Sequence, residues 1–319
     1  MALNVDPQLT AYYSQVSAAF PPLGANDAAS RRARTREVAA RFAPPAVPGV
    51  SMHAIDVPLE GRTLKTRLYR PVNIDEALPL VVYFHGGGWV VGDLDTHEPV
   101  AAQLASDAQV AVASIDYRLA PENPFPALND DAEQAVLWFA EQRLRLNLSL
   151  RTLAVAGDSA GAYLATYAER AANIKVPGLV KAQLLFYPVA APRFDTPSYT
   201  RFAGGPVLTR DDMIWYWSAF LGEPVTVEGA SAEWLADPRV NLSASIPDYV
   251  PADAVVMVAG HDPLRDEGAQ YAHFLEQHGG DVELIEAGDM THGFARLQHV
   301  SNAARDWMRS AALALREML

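Results

Sequence analysis

Short apolar runs alternate along the chain with segments whose apolar residues recur every three or four positions. Val81-Val82-Tyr83-Phe84 is the first clear run, followed by Val110 to Ile115, Thr152 to Ala156, Ala182 to Phe186 and Ala254 to Val258. Each is short, rich in β-branched or aromatic residues and bounded by Gly, Pro or Asp, which predicts buried strands. Between them, Ala132, Ala135, Val136 and Phe139 share one helical face, as do Ala160, Tyr163, Leu164, Tyr167 and Ala168. Near the C-terminus Ala304, Trp307, Met308, Ala311, Ala312 and Leu315 form one stripe. Strand–helix alternation of this kind predicts an α/β fold with a mostly parallel sheet flanked by helices on both faces. Ser51 to Pro58 and Thr63 to Tyr69 predict an antiparallel hairpin at one edge.

Two regions break the rhythm. Residues 1 to about 45 carry helical patterns and end in the proline-rich link Ala43-Pro44-Pro45-Ala46-Val47-Pro48. Residues from about 190 to 245 contain Gly204-Gly205-Pro206 and an aromatic helical stretch, Arg210 to Leu221. Both hold large apolar residues (Phe20, Phe202, Trp215, Trp217 and Phe220) that need a place to bury. The expectation is one domain over 1–319. Its catalytic core would be about 46–189 and 246–319, with a helical cap formed by about 1–45 and 190–245. Surface decoration is the plainer alternative.

Composition narrows the function. The chain has 319 residues, half of them apolar and 20% charged, which is ordinary for a globular protein. It has no cysteine, so neither disulfides nor thiolate metal sites hold it together. A formal net charge of −13 argues against nucleic acid or an anionic membrane as partner. The basic island Arg31 to Arg36 reads as a solvated helix face. The N-terminal MALNVDPQLT shows no signal-peptide pattern, and no run approaches a membrane span, so a cytoplasmic location is expected.

The chemistry enters at Gly157-Asp158-Ser159-Ala160-Gly161, which follows a predicted strand and opens a predicted helix. G-x-S-x-G in that setting is the pattern of a nucleophile elbow, where a tight turn lifts the serine hydroxyl clear of the backbone. The flanking backbone closes on itself, so glycine is needed two residues before and after. The competing reading is a small-residue turn into a helix. After the strand ending at Phe84 comes His85-Gly86-Gly87-Gly88-Trp89. Consecutive glycines leave backbone N–H groups uncovered, and Gly87 and Gly88, with Ala160 after the serine, predict three donors for a developing alkoxide. His85 is expected to brace that loop. The alternative is a flexible loop or a phosphate nest, but no P-loop pattern or lysine follows.

A serine hydroxyl needs a base, and the base needs an orienting acid. In α/β-hydrolases both follow the nucleophile, acid first, on loops after late strands. That order selects Asp262, after Ala254 to Val258, and His292, after Val282 to Ile285. Asp266 and Asp289 are rival acids, and Asp266 and Glu267 are better placed at a helix N-terminus, where negative charge is favourable. His273 and His278 fall on the intervening helix and His299 at the start of the last one. His53 and His97 precede the nucleophile and read as surface or loop residues.

Taken together, these motifs resemble the hormone-sensitive-lipase-like (bacterial family IV) esterases of the α/β-hydrolase superfamily, over roughly residues 60 to 300. The resemblance also rests on Asp116-Tyr117-Arg118-Leu119-Ala120-Pro121-Glu122, Phe125-Pro126-Ala127, Tyr187-Pro188, Asp262-Pro263-Leu264-Arg265-Asp266-Glu267 and His292-Gly293-Phe294. Gly92 to His97 looks like the bacterial acetyl esterases. The resemblance implies the α/β-hydrolase fold with a cap, the triad Ser159, Asp262 and His292, and oxyanion donors at Gly87, Gly88 and Ala160. It also implies metal-independent hydrolysis without a cofactor, and a preference for short acyl chains. Arg118 and Glu122 would join a polar network behind the site. Two departures stand out: Ala162-Tyr163 follows Gly161 where many members have a second glycine, and Asp237-Pro238 replaces Ser-Pro.

The expected activity is a carboxylesterase acting on short- to medium-chain acyl esters through an acyl-enzyme. Trp89, Phe202, Leu208, Met213, Leu264 and Phe294 are candidate substrate contacts by position, with core packing the competing reading for each. Amide, lactone or carbamate cleavage on the same triad, or lipase action on long chains, stays open. A non-catalytic receptor of this fold would lack the base, and His292 is present. The partner expected is a small-molecule ester. A homodimer fits the resemblance, but the stripe on 304–315 is explained by packing on the sheet.

Overall fold

The computed structural model describes residues 4–20 and 27–319. Strands β1 (Val50–Leu59), β2 (Arg62–Pro71), β3 (Leu78–Phe84), β4 (Ala111–Asp116), β5 (Leu148–Asp158), β6 (Ala182–Phe186), β7 (Asp253–His261) and β8 (Val282–Thr291) form one sheet. Their order is β1-β2-β4-β3-β5-β6-β7-β8. The expected hairpin β1–β2 pairs antiparallel at one edge, β2 pairs antiparallel with β4, and every other pairing is parallel.

The continuous apolar runs follow from burial on both faces. In β7, Ala254, Val256 and Val258 enter one core while Val255, Met257 and Ala259 enter the other. β3 divides the same way, with Leu80, Val82 and Phe84 against Val81 and Tyr83. The helices are α1 (Pro7–Ala19), α2 (Ala28–Arg41), α3 (Glu98–Ala108), α4 (Ala127–Gln142), α5 (Ala160–Lys175), α6 (Pro197–Arg201), α7 (Arg210–Leu221), α8 (Ala232–Ala236), α9 (Arg265–Gln277) and α10 (Asn302–Glu317). α4, α5 and α9 cover one face of the sheet; α3 and α10 cover the other. Among the described residues no helix is long and apolar enough to cross a membrane.

Strand ends differ modestly from the sequence reading. β5, β7 and β8 all run further, and β8 reaches Thr291 because Ala287 and Met290 keep burying beyond its polar outer positions. His299 lies before α10, not on its first turn. Of the two segments expected as a cap, residues 1–3 and 21–26 fall outside the described residues. The remainder supplies α1, α2 and, between β6 and β7, α6 to α8.

The basic island is not a solvated face. Arg31 reaches Asp212 on α7 at 2.7 Å and donates to the Tyr216 hydroxyl at 3.1 Å. Arg32 donates to Val90 O and Ala120 O, both at 2.7 Å, and pairs with Glu122 at 2.6 Å. Arg36 pairs with Asp93 at 2.8 Å. These arginines dock α2 on the glycine loop and on α7. Glu122 therefore serves α2, whereas Arg118 pairs with the buried Asp131 at 2.9 Å.

Glu267, read as a first-turn charge, is buried and holds the chain where the inserted segment begins. Its Oε1 accepts from Ala190 N at 2.6 Å and Ala191 N at 2.9 Å, and the Tyr199 hydroxyl donates to Oε2 at 3.1 Å. Burial pushes its carboxyl up to about 7, although the backbone donors act the other way. Burial likewise raises Glu169 to about 7.

An acid raised in the folded state stabilises that state while protonated, and this contribution is lost as pH rises from about 4.5 through about 7. Glu267 accounts for on the order of 3 kcal/mol lost across that window. Glu267→Gln keeps the two backbone hydrogen bonds and removes the titration. Its Tm should therefore fall less than that of the parent between pH 5 and pH 8. An unchanged pH–Tm profile would show that the buried carboxyl does not ionise in this range.

Candidate active site

The parallel pairing of β3 with β5 places Phe84 opposite Gly157, so the two strands end side by side. Beyond one end lies the glycine loop; beyond the other lies Ser159, at φ 55° and ψ −121°. That conformation is costly for a residue with a side chain, and it persists because the surroundings fix it. A Cβ at Gly161 would stand 2.0 Å from Phe84 O, and one at Gly157 would stand 2.2 Å from Gly161 O. The turn can close on its own helix and against β3 only without those atoms.

The Asp262 side chain is fully buried at the end of β7, where its Oδ1 accepts from Leu264 N at 2.9 Å. Its Oδ2 lies 2.7 Å from His292 Nδ1, and His292 Nε2 lies 2.9 Å from Ser159 Oγ. With Nδ1–H donating to the carboxylate, Nε2 of the neutral ring is the acceptor for the serine hydroxyl. The rivals are engaged elsewhere. Asp266 pairs with Arg265 at 2.7 Å and accepts from Ser198 N at 2.8 Å, while Asp289 accepts from Trp307 Nε1 at 3.0 Å. His53, His273 and His299 are exposed, and His278 contacts Phe274 O.

Among the described residues, the N–H groups of Gly87 and Gly88 have no backbone acceptor, and that of Ala160, first on α5, has none within helix reach. A Cβ on Gly88 would stand 2.2 Å from the Tyr216 ring. His85 Nδ1 contacts Gly86 O at 2.8 Å, and its ring stacks on Tyr117 at 4.3 Å. Burial, helped by nearby His97, pushes the His85 pKa down to about 4, so the ring is neutral at neutral pH.

Asp158, an unassigned position within the serine motif, joins the two halves of the site. Its buried Oδ1 accepts from Tyr83 OH at 2.5 Å and from Gly86 N at 2.8 Å. His97 is buried beside it, not a surface residue, with Nε2 3.7 Å from Oδ1. Burial alone would raise the carboxyl, but His97 and the Tyr83 hydroxyl outweigh it and hold Asp158 well below the ordinary carboxylate range.

Ser159 and His292 open on a cavity of about 190 Å³. Of the candidate substrate contacts, Trp89, Leu208 and Met213 line it. Trp89 also builds the core below, with its ring 4.6 Å from Trp217 and 4.4 Å from Phe220. Tyr163, the departure after Gly161, packs edge-on to that indole at 5.3 Å. At Asp237, the second departure, the carboxylate pairs with Arg239 at 2.7 Å. Phe202, Leu264 and Phe294 do not line the cavity. Phe202 packs on His261, Phe294 backs Tyr187, and Leu264 is buried at the start of α9. The cavity's unforeseen walls are Arg31, Thr35, Val207, Asp212, Tyr216 and Arg296, from α2, the inserted segment and the turn after His292. No local pattern marks them, because they meet only through packing.

The α/β-hydrolase-fold family Abhydrolase_3 matches residues 81–296. A carboxylesterase of Mycobacterium tuberculosis, NlhH, is 38% identical over 294 residues, covering 90% of this chain and 88% of that protein. An ethyl acetate hydrolase of Pseudomonas putida is 34% identical over 99% of this chain and 100% of that protein. The solved hyperthermophilic esterase of the archaeon Pyrobaculum calidifontis superposes with a TM-score of 0.87 at 31% identity, covering 98% of each chain.

If Asp158 fixes the glycine loop against the elbow, Asp158→Asn should lower kcat about tenfold, the effect of loosening a hydrogen bond to a charged group by ~1.5 kcal/mol. KM on p-nitrophenyl acetate should change less. A variant with lowered Tm but unaltered kcat would assign Asp158 to stability alone.

Proposed function

We propose that this chain, which belongs to the hormone-sensitive-lipase-like esterases of the α/β-hydrolase fold and is a carboxylic-ester hydrolase, cleaves short- to medium-chain acyl esters through a Ser159 acyl-enzyme. The observation that carries the reading is the unbroken hydrogen-bonded line from Asp262 through His292 to Ser159 at 2.7 and 2.9 Å.

The mechanism follows from that line. Ser159 Oγ attacks the ester carbonyl as its proton passes to His292 Nε2. Asp262 holds the ring by Nδ1 and stabilises the imidazolium. The tetrahedral oxyanion forms beside the N–H groups of Gly87, Gly88 and Ala160, backbone donors of the kind that stabilise developing charge. His292 then protonates the departing alcohol, and water repeats the sequence on the acyl-enzyme.

α1, α2 and the segment carrying α6 to α8 act as the cap in this reading. Support comes from the cavity wall, where α2 and α7 meet above Ser159 through Arg31, Asp212 and Tyr216. A cavity of about 190 Å³ falls below the ~300–1,000 Å³ of sites that enclose drug-sized ligands, which favours short chains. The family relative named for ethyl acetate hydrolysis points the same way.

Ser159→Ala should lower kcat/KM for p-nitrophenyl butyrate by about 10⁴-fold or more without lowering Tm. In the parent, activity should fall steeply from butyrate to palmitate esters. Full activity in the alanine variant would discard the nucleophile assignment. Equal rates on palmitate would discard the short-chain one.

A further inference from the structure

Arg296 lies on the short helical turn just after the candidate base. It borders the cavity above Ser159 and also an adjoining cavity of about 220 Å³, walled by Tyr12, Tyr13, Val16, Val38 and Phe42. The two cavities meet along Val207, His292, Gly293 and Arg296. A Cβ built on Gly293 would stand 3.8 Å from Arg296 Nη2, so the guanidinium lies against the residue next to His292.

Within the protein this guanidinium forms neither an ion pair nor a hydrogen bond among the described residues. The other charges around it are already engaged. Arg31 and Asp212 neutralise each other, and Asp212 also caps α7 by accepting from Thr209 N. Asp158 is held by Tyr83, Gly86 and His97, and the Arg296 charge also favours its ionised form from beyond hydrogen-bond distance. Asp262 faces His292, and Asp95, at the rim, binds Arg67 at 2.5 Å. The Tyr13 hydroxyl contacts Thr291 Oγ1 at 2.5 Å; burial pushes that phenol up to about 12, so it supplies no counter-charge. A half-buried guanidinium loses hydration without gaining a hydrogen-bond partner, and an anion at the junction would supply one. The chain as a whole carries −13 and repels anions, so a local cation at the site acts as a selective filter.

We propose that Arg296 binds a carboxylate carried by the substrate, making esters with an anionic group near the scissile bond the preferred class. This rests on the esterase reading above, with Ser159 cleaving the ester and Arg296 positioning it. The carboxylate would sit between the two cavities, with the ester carbonyl at Ser159 and any apolar remainder against Tyr12 and Phe42. A planar guanidinium offers such a group paired donors, which a neutral amide of the same shape cannot exploit.

The test compares acetoxyacetate, 3-acetoxypropanoate and 4-acetoxybutanoate, each with its own primary amide, and reads the ratio of kcat/KM within each pair. The parent should favour the best-fitting carboxylate over its amide by about tenfold or more. Arg296→Gln should remove that preference, and Arg296→Lys should retain part of it. A parent ratio near one for all three pairs would overturn the proposal even if neither variant folds. So would an Arg296→Gln variant that keeps the preference. Failure of the parent on every acetoxy substrate and on p-nitrophenyl acetate would instead overturn the esterase reading.

Discussion

The buried carboxylate of Asp158 is the constraint on which the site depends. Two loops must meet at one point with sub-ångström tolerance, one bearing the candidate nucleophile and the other the candidate oxyanion donors. Parallel pairing brings β3 and β5 together but fixes nothing beyond their last residues. Asp158 continues the pairing past the sheet by accepting from Tyr83 on β3 and from Gly86 in the loop. An ionised acceptor roughly doubles the strength of such bonds. Its burial is tolerable because His97 faces it. The strained φ of Ser159 is then held from below by this anchor, and from the side by Gly161 against Phe84 O.

The sheet was legible because burial on both faces leaves an unambiguous mark: five apolar runs, each bounded by turn residues. The serine motif and the glycine run were legible for a related reason, since each is a local backbone solution that side chains would obstruct. Asp262 and His292 were reached by chain order, and the structure places them in line with Ser159. What could not be read was whatever depends on distant segments meeting. Arg31 and Arg32 look like any solvated basic helix until α2 lies against α7 and Val90. Phe202 and Phe294 look like substrate contacts from their positions, yet an aromatic ring near a site is as readily the wall behind it. Glu267 carries the ordinary signature of a helix start, and its clasp on Ala190 and Ala191 is invisible from sequence.

These long-range contacts share a physical form. Where a peripheral segment joins the body, a charged side chain satisfies backbone groups that no secondary structure would pair. Arg32 does so for Val90 and Ala120, Glu267 for Ala190 and Ala191, and Arg170 for Pro238 and Leu242. Irregular chain at depth would otherwise leave polar groups unpaired, at a cost of several kcal/mol for each segment. The charges are fasteners, and most are consumed in that task.

That accounting gives the cavity its character. Gly88 can approach the Tyr216 ring only because it lacks a side chain, and the same tyrosine receives Arg31 from α2. The donor loop, the inserted segment and the N-terminal helix therefore converge on one aromatic ring. A substrate entering there displaces water from a surface whose Arg31, Asp212 and Asp158 groups are already hydrogen-bonded, whereas the Arg296 guanidinium has no hydrogen-bond partner among the described residues. On the proposed reading, electrostatic selection at this site comes from the open donors of Arg296 beside the candidate base, set against a molecule whose overall field points the other way.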